Sequence, residues 1–525
     1  MSCTVLHHVE MCVKDESKVL KLLVDGFGFH PIAYRVTPQA LKWVLRSGNS
    51  VFIVTKRNYL GCNNENHSFN VRLAKEHDIA SNSRNDILTD SGLQKMNDYM
   101  EQHQTRNHHN FQEPSKTQQQ EHWSVFCCRD TTNHIIDSVF NVALVVKDVD
   151  VITKKIRSEG GQIIRGPANI SDAFGHVRYS VVSPCCGNVI HTLIDTKNYK
   201  GNFLPGYEPV AKCYTNKTNG VEDEKHDMNC MTSCKTCDSP PVMQEIKLNE
   251  ISEKLHLPNF SAPYDMNNIL SCVKDKAPDT TMIPFTAYID HVAIVCDAGK
   301  SSDLISWYER CFGMKRFITN SQESEEDGFV LGGDIGLRLK ALEYWRCAET
   351  GLGPPSATTD EFSLKLVIAE ALPEVSKSHV NTFLQAHRGP GVQHIALHTQ
   401  TMTATVKCMS DNGVIFRKPP PVYYEEGIKL EEITEVGHGK EIEVFQKLGI
   451  LLDTEADVFT NIDTKQEKKS YLMQVFTGPI FEEDTFFLEI IQRCGATGFG
   501  AGNITALAKS IILYKQQLEN SGPRE

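Results

Sequence analysis

Three side chains in the C-terminal half of the sequence, His291, His394 and Glu489, are of types that bind transition metals. Each lies in a short apolar segment with the character of a β-strand. Glu489 stands in the middle of residues 486–491, where an unpaired carboxylate would cost several kcal/mol to bury. We therefore expect a cation, a strong hydrogen-bond donor or a proton beside it.

Two imidazoles and one carboxylate, with coordination positions left open, form a ligand set that suits Fe(II) for reactions with O2. For any one of these residues alone, a hydrogen-bonded core histidine or a Glu paired with an Arg is the more common arrangement. The metal interpretation is favoured because all three lie on strands that recur along the chain. His398, on the same strand face as His394, is the alternative ligand, ranked lower because it lies nearer the strand end. For Arg493, orienting or neutralising the surroundings of Glu489 is one interpretation, and a surface salt bridge is the favoured one.

The strands that carry these residues belong to an internal duplication. Residues 5–13 resemble residues 288–296, and residues 140–145 resemble residues 393–398. Self-similarity on this scale indicates a repeated unit, here two strand–helix–strand–strand–strand modules in each half. Strands interrupted by single helices indicate an α+β fold with curved mixed sheets that close on themselves.

The N-terminal half lacks two of the three candidate ligands. The aligned pairs are His8 with His291, Asn141 with His394 and, approximately, Thr192 with Glu489. A single imidazole does not hold iron. We therefore interpret the first half as a metal-free copy with a structural or gating role.

The chain has 525 residues and a net charge of -12, which argues against a nucleic-acid-binding surface. No apolar run approaches the roughly 20 residues needed to cross a bilayer. The sequence predicts an N-terminal domain over residues 1–206, a polar linker over 207–283 and a C-terminal domain over 284–525. An insertion at about 57–123 is predicted to be disordered, and a third polar stretch covers 454–469.

The sequence contains 17 cysteines and no secretory signal, which indicates reduced thiols in an intracellular protein. Cys230, Cys234 and Cys237 have a spacing that could hold an iron–sulfur cluster or zinc. They lie in the polar linker with no strand before them, so exposed thiols are the favoured interpretation. The first 30 residues contain no Arg and do not have the composition of a mitochondrial presequence.

Several longer motifs resemble those of one enzyme family. They are Gly-Val-Gln-His-Ile-Ala-Leu at 391–397, Phe-Leu-Glu-Ile-Ile-Gln-Arg at 487–493 and Gly-Phe-Gly-Ala-Gly-Asn at 498–503. These motifs are similar to the signatures of the 4-hydroxyphenylpyruvate dioxygenase family, which has the vicinal-oxygen-chelate fold. The resemblance covers residues 1–56, 124–206 and 284–520. Motifs such as Ile-Ala-Glu-Ala-Leu-Pro at 368–373 bring the chain closer still to the dioxygenase-like members found in animals.

The resemblance implies tandem βαβββ modules of the vicinal-oxygen-chelate type that form two open barrels. It also implies one Fe(2+) per chain, with an aromatic 2-oxo acid, 4-hydroxyphenylpyruvate, and O2 as the small-molecule partners. The implied site residues are His291, His394 and Glu489 as iron ligands, Gln393, Gln474 and Asn503 as catalytic groups, and Phe476, Phe487, Phe499 and Ile504 as substrate contacts. No nucleic acid and no transmembrane segment are expected, and a homo-oligomer is compatible with the family.

The chain departs from the dioxygenase pattern at residues 367–369, where Val-Ile-Ala replaces Pro-Ile-Asn, and at Ile504, where the family has Phe. The resemblance to the dioxygenase-like members implies attack on the benzylic carbon, which gives 4-hydroxymandelate on a route toward a quinone head group. Formation of homogentisate in tyrosine breakdown is the alternative. A non-catalytic binding protein that keeps the fold is the third hypothesis. The resemblance implies mitochondria, with the cytoplasm as the alternative.

Overall fold

The computed structural model describes residues 5–57, 136–210, 286–344 and 364–520, with short gaps at 38–39, 185, 318–322, 325, 333–334, 374, 376–377, 426 and 461–466. The predictions for the insertion at 57–123, the linker at 207–283 and the three linker cysteines fall outside these ranges, except at residue 57 and at 207–210. Within the described ranges, no helix is both long and apolar enough to cross a membrane.

The N-terminal half forms one mixed sheet of nine strands. The strands are β1 (Val5–Val13), β2 (His30–Val36), β3 (Ala40–Ser47), β4 (Ser50–Arg57), β5 (Ser138–Val145), β6 (Gln162–Asp172), β7 (Gly175–Ser183), β8 (His191–Asp195) and β9 (Glu208–Pro209). Their order is β6-β7-β8-β5-β1-β4-β3-β2-β9. Neighbouring strands are antiparallel except for β1 with β4 and β5 with β8.

The C-terminal half repeats this sheet. Its strands are β10 (Tyr288–Cys296), β11 (Lys315–Phe317), β12 (Phe329–Leu331), β13 (Leu337–Glu343), β14 (Lys365–Ala371), β15 (Gly391–His398), β16 (Leu451–Thr460), β17 (Glu467–Phe476) and β18 (Phe487–Cys494). Their order is β11-β13-β14-β10-β15-β18-β17-β16, with β12 beside β13. The parallel pairs, β10 with β14 and β15 with β18, occupy the same places as in the first sheet. The predicted α+β fold of tandem modules is confirmed.

Helices connect the strands of both sheets. They are α1 (Glu16–Lys21), α2 (Val149–Ser158), α3 (Ser301–Phe312), α4 (His379–His387), α5 (Met402–Asp411), α6 (Leu430–Glu435), α7 (Ile442–Leu448) and α8 (Ala501–Asn520). Several begin or end at residues suited to that place: Asp148 caps the start of α2, and Gly313, at φ +72°, ends α3 in the left-handed region. β16 and β17 extend into the polar stretch at 454–469 from both sides.

The two halves share one apolar core and meet along β5 and β15. His191 on β8 forms hydrogen bonds through both ring nitrogens. Nδ1 lies 2.9 Å from the Val142 carbonyl, and Nε2 lies 2.8 Å from the Tyr308 hydroxyl of α3. Because the carbonyl can only accept, Nδ1 carries the proton and Nε2 accepts from the tyrosine. A side chain at Gly187 would overlap the carbonyl of Pro390, so the halves also approach closely there.

Each half contains the same two β-bulges, at corresponding places. Between the first strand of a half and its antiparallel neighbour, the register skips His7 in β1 and Asp290 in β10. It also skips Phe140 in β5 and Gln393 in β15. A bulge re-aims the side chains beside it, so consecutive residues can point toward one region. The bulges therefore act on the positions next to His291 and His394.

Candidate metal centre

His291, His394 and Glu489 lie together on three adjacent strands. Nε2 of each histidine is 3.5 Å from Oε2 of Glu489, and one ligand atom from each residue lies within 4.8 Å of the others. The register explains this meeting: Ala396 on β15 pairs with His291 of β10 on one side and with Glu489 of β18 on the other. His394 lies two residues earlier on the same face of β15.

The cluster has the electrostatics expected of a cation site. Glu489 is only 3 % exposed, and its Oε1 has no hydrogen-bond partner in the part of the chain that the structure describes. Burial, together with the neighbouring His291, holds the pKa of His394 well below its usual value, so this imidazole is neutral and offers Nε2 as a ligand. A buried carboxylate with an unpartnered oxygen, facing two imidazole nitrogens, fits a divalent transition metal.

Asp290 and Arg493 hold His291 in position. Nδ1 of His291 donates to Oδ1 of Asp290 at 2.9 Å, which leaves Nε2 free to face the cluster. Nε and Nη2 of Arg493 donate to the two oxygens of Asp290 at 2.8 and 2.7 Å. The pKa of Asp290 is held well below its usual value: burial opposes its charge, but Arg493 more than compensates.

The prediction of a surface salt bridge for Arg493 was therefore wrong. Its side chain is 12 % exposed and also donates from Nη1 to the Gly498 carbonyl at 2.6 Å. The physical reason is the buried negative charge of Asp290, which needs a fixed cation. The sequence did contain a signal for this group: Asp290 and His291 are consecutive polar residues in an otherwise apolar strand, a pattern that suits a bulge.

Aromatic side chains surround the three candidate ligands. Phe487 pairs with His394 across β18 and β15 and stacks on its ring, with centroids 4.8 Å apart. Phe476 of β17 pairs with Glu489 and meets Phe487 edge-on at 5.9 Å. Phe499 places its ring edge-to-face with His291 at 4.7 Å. The three predicted aromatic residues are thus brought together beside the candidate ligands.

The three residues predicted to supply amide groups differ in their burial and in their hydrogen-bond partners. Gln474 is on the same face of β17 as Phe476, and its Oε1 is buried without a partner in the described residues. Gly500, at φ +72°, leaves no room for a Cβ beside this amide. Asn503 is fully buried in the first turn of α8, where Oδ1 accepts from Tyr423 at 2.6 Å and Nδ2 has no described partner. Gln393 is half-buried in its bulge.

Two further residues are placed outside the inner cluster. Ile504 follows Asn503 in α8 and is half-buried. His398, the alternative ligand, stacks on Tyr288 with ring centroids 4.5 Å apart and is not among the residues whose ligand atoms converge. It lies at the end of β15, two register positions beyond Ala396.

The face that carries the ligands is apolar where the chain departs from the dioxygenase pattern. Ala293 pairs with His394 on one side and with Val367 of β14 on the other. Ala369 follows two residues later on that face, and both β14 side chains are 5 % exposed. Ala293, Val367 and Ala369, called the apolar floor below, therefore offer no side-chain hydrogen-bond donor on this sheet face.

The matching face of the N-terminal half is occupied by a buried ion pair. Nζ of Lys42 lies 2.8 Å from Oε1 of Glu10, and the Thr55 hydroxyl donates to the same oxygen at 2.7 Å. Asn141 donates to Oε2 at 3.4 Å and accepts from Thr192 at 3.1 Å. The register places Thr192 at the position of Glu489. Sequence reasoning missed this pair, although Glu10 interrupts an apolar strand just as Glu489 does.

The chain resembles known proteins of one enzyme family. It is 30 % identical over 386 residues to the 4-hydroxyphenylpyruvate dioxygenase-like protein of Homo sapiens, covering 72 % of this chain and 78 % of that one. The chain belongs to the 4-hydroxyphenylpyruvate dioxygenase family. The like-protein of Mus musculus is 29 % identical over 384 residues, with the same coverage, and the 4-hydroxyphenylpyruvate dioxygenase of Xenopus tropicalis is 26 % identical over 377 residues, covering 71 % and 72 %. No family model matches the chain.

Solved structures give the same fold for this member of the dioxygenase family. A triple mutant of 4-hydroxymandelate synthase from Streptomyces coelicolor superposes with a TM-score of 0.56 at 19 % identity, covering 97 % of this chain and 98 % of that one. A fusion protein of a xylose isomerase-like TIM barrel and a 4-hydroxyphenylpyruvate dioxygenase gives 0.50 at 15 % identity, with coverages of 98 % and 53 %. The family assignment agrees with the resemblance found in the motifs.

Proposed function

We propose that this chain is an oxygenase that holds one Fe(2+) with His291, His394 and Glu489. It would convert 4-hydroxyphenylpyruvate and O2 to 4-hydroxymandelate and CO2, toward a quinone head group. The observation that carries the proposal is the convergence of two imidazole nitrogens and one buried carboxylate in a chain of this dioxygenase family. Bound Fe(II) would supply the redox chemistry that couples O2 reduction to decarboxylation of the 2-oxo acid.

The chain's own residues have distinct parts in this proposal. The three phenylalanines Phe476, Phe487 and Phe499 pack around the ring of the substrate and exclude water. Oε1 of Gln474 and Nδ2 of Asn503, which have no hydrogen-bond partner among the described residues, are available to orient the polar ends of the substrate. Their buried hydrogen-bonding capacity favours a ligand that satisfies it.

The apolar floor supports 4-hydroxymandelate as the preferred product. Val367 and Ala369 leave the face beside His394 without a polar group that would hold the ring near the reacting oxygen. Purified, iron-loaded protein should therefore form 4-hydroxymandelate, measured by chromatography against both authentic products. Ala369→Asn should increase the share of homogentisate, whereas Ala369→Val should not. Homogentisate as the sole product of the unmodified chain would reject the specificity and favour the ordinary dioxygenase reaction.

Iron binding separates an enzyme from a non-catalytic protein that keeps the fold. His394→Ala should abolish binding of one Fe(II) per chain under anaerobic conditions and leave the circular dichroism spectrum unchanged. His398→Ala is the matched control and should keep the metal, because His398 stacks on Tyr288 away from the cluster. Full iron binding by His394→Ala would place the site elsewhere. Near-zero iron in the unmodified chain would favour the binding-protein hypothesis.

We also propose a mitochondrial location, which rests on the resemblance to the dioxygenase-like proteins of animals. Fractionation of cells that express the full chain tests it. Recovery in the cytoplasmic fraction would support the alternative location.

A further inference from the structure

A cavity of about 360 Å³ lies between the two halves, next to the candidate metal centre. It is lined from the N-terminal half by β1 and the β3–β4 hairpin and from the C-terminal half by β10 and the region that begins β14. Its lining includes Asp290 and His291 but none of the three phenylalanines in front of the ligands. The cavity therefore shares His291 with the candidate metal centre but not the three phenylalanines proposed to contact the substrate.

The walls of the cavity are held by contacts between the halves. The backbone N–H of Asn49 in the hairpin donates to the Ala287 carbonyl at 2.8 Å, and the Thr286 hydroxyl donates to the Ser47 hydroxyl at 3.2 Å. These contacts fix the hairpin against the chain that enters β10. The cavity is thus framed before a ligand enters.

Arg46 on β3 is the cation of this cavity without a counterion. Neither a hydrogen bond nor an ion pair joins its guanidinium to any of the described residues, although the side chain is partly buried. A second cavity, of about 590 Å³, also has Arg46 in its lining, so the guanidinium borders both spaces. A partly desolvated guanidinium with free donors favours a planar anion such as a carboxylate.

The other charged groups do not neutralise Arg46. Asp290 is already engaged by Arg493 and His291. Lys365 pairs with Glu343 at 3.6 Å and adds positive charge at the cavity wall. His7 is neutral, because burial and Arg46 lower its pKa to about 4. The lining therefore carries an excess of positive charge.

We propose that this cavity binds a small aromatic carboxylate, with the carboxylate on Arg46 and the ring near Phe203 and Tyr288. Both aromatic side chains line the cavity, and Phe203 packs against His7 with ring centroids 5.5 Å apart. The volume is at the lower end of the range of about 300–1,000 Å³ found for small-molecule sites, which suits a single ring. The proposal depends on neither the iron nor the product.

The test uses the full-length, metal-free protein and phenylacetate, which has one ring and one carboxylate but no 2-oxo group. Isothermal titration calorimetry should give one site with a dissociation constant on the order of 1 mM, as expected for so small a ligand. Arg46→Gln should weaken binding by about tenfold or more, because the charge-assisted pair is lost. Phenylacetamide, which lacks the charge, should show the same loss with the unmodified chain.

Matched controls separate this site from the others. Arg157→Gln removes an exposed guanidinium on α2 and should leave binding unchanged. Phe487→Ala should also leave it unchanged, since Phe487 lies in front of the candidate ligands. Three results would each overturn the proposal. Arg46→Gln could bind phenylacetate as tightly as the unmodified chain does, phenylacetamide could bind as tightly as phenylacetate, or Phe487→Ala could lose phenylacetate binding. If Arg46→Gln does not fold, Val145→Phe fills the cavity without removing charge, and unchanged binding by it would refute the site.

Discussion

The buried pair of Glu10 and Lys42 provides the sharpest test of how the N-terminal half is stabilised. Both side chains are 1–2 % exposed, and the pair is completed by the Thr55 hydroxyl. Lys42→Leu would leave the Glu10 carboxylate buried without its cation. Removing one partner of such a pair costs about 3–5 kcal/mol, because the remaining charge stays desolvated.

The C-terminal half shows which residues can replace the whole group. The register equates Glu10 with Ala293, Lys42 with Leu339 and Thr55 with Ala369. We expect the triple variant Glu10→Ala, Lys42→Leu and Thr55→Ala to recover most of the lost stability, to within about 1–2 kcal/mol of the unmodified chain. Replacing a buried ion pair by apolar residues is often close to neutral.

Equilibrium urea unfolding measures both effects, with tryptophan fluorescence as the probe. Trp43 is 2 % exposed and adjacent to Lys42, so its emission reports on this sheet. A loss below about 1 kcal/mol for Lys42→Leu would refute the buried-pair argument, since surface pairs contribute that little. A triple variant as unstable as the single one would refute the equivalence of the two halves.

Two further predictions concern titratable and positioning groups. Asp290→Asn should weaken Fe(II) affinity by about 10–100-fold in anaerobic titrations, because the Nδ1–H of His291 loses its charged acceptor. Asp297→Asn, at an exposed position, is the control. An equal loss of affinity in both variants would contradict the role of Asp290 in positioning His291. Burial lowers the pKa of His191 from 6.5 to about 4, so its contribution to stability is complete above pH 6.5 and is lost as the pH falls toward 4. The expected loss from this group is about 3 kcal/mol in the free energy of unfolding, measured by urea unfolding at a series of pH values. A double replacement of His191 and Tyr308 by Phe should reduce the slope over this interval, and His7, whose pKa is also lowered to about 4, should keep part of it. An unchanged slope would exclude His191 as a cause.

The sequence predicted those parts of the fold that depend on local pattern. Repeated strands and helices were visible because apolar residues recur in the same order in both halves. The consecutive polar residues Asp290 and His291 are a signal for one bulge, but the strand register around it and the bulge at Gln393 could not be derived. A bulge is a property of two paired strands, and one strand read alone does not give the register.

The candidate site also has residues that the sequence predicted and partners that it did not. His291, His394 and Glu489 stood out because each is a polar group in an apolar strand. The partners of Asp290 and Glu10 could not be derived, because Arg493 and Lys42 approach them from distant parts of the chain. Sequence distance carries no information about which buried charge finds which counterion, so Arg493 was wrongly expected at the surface.

The duplicated bulges have a consequence for the order in which the protein matures. His7 and Phe140 keep the same irregular register in a half where Asn141 and Thr192 stand in place of His394 and Glu489. The distorted backbone is thus an intrinsic product of chain folding and does not need an ion to create it. Folding can therefore finish first, with metallation as a later and separable event. Metal-free and iron-loaded forms should then show equal amide hydrogen exchange rates along β10 and β15. If exchange there becomes slow only when iron is bound, metal binding precedes completion of the fold.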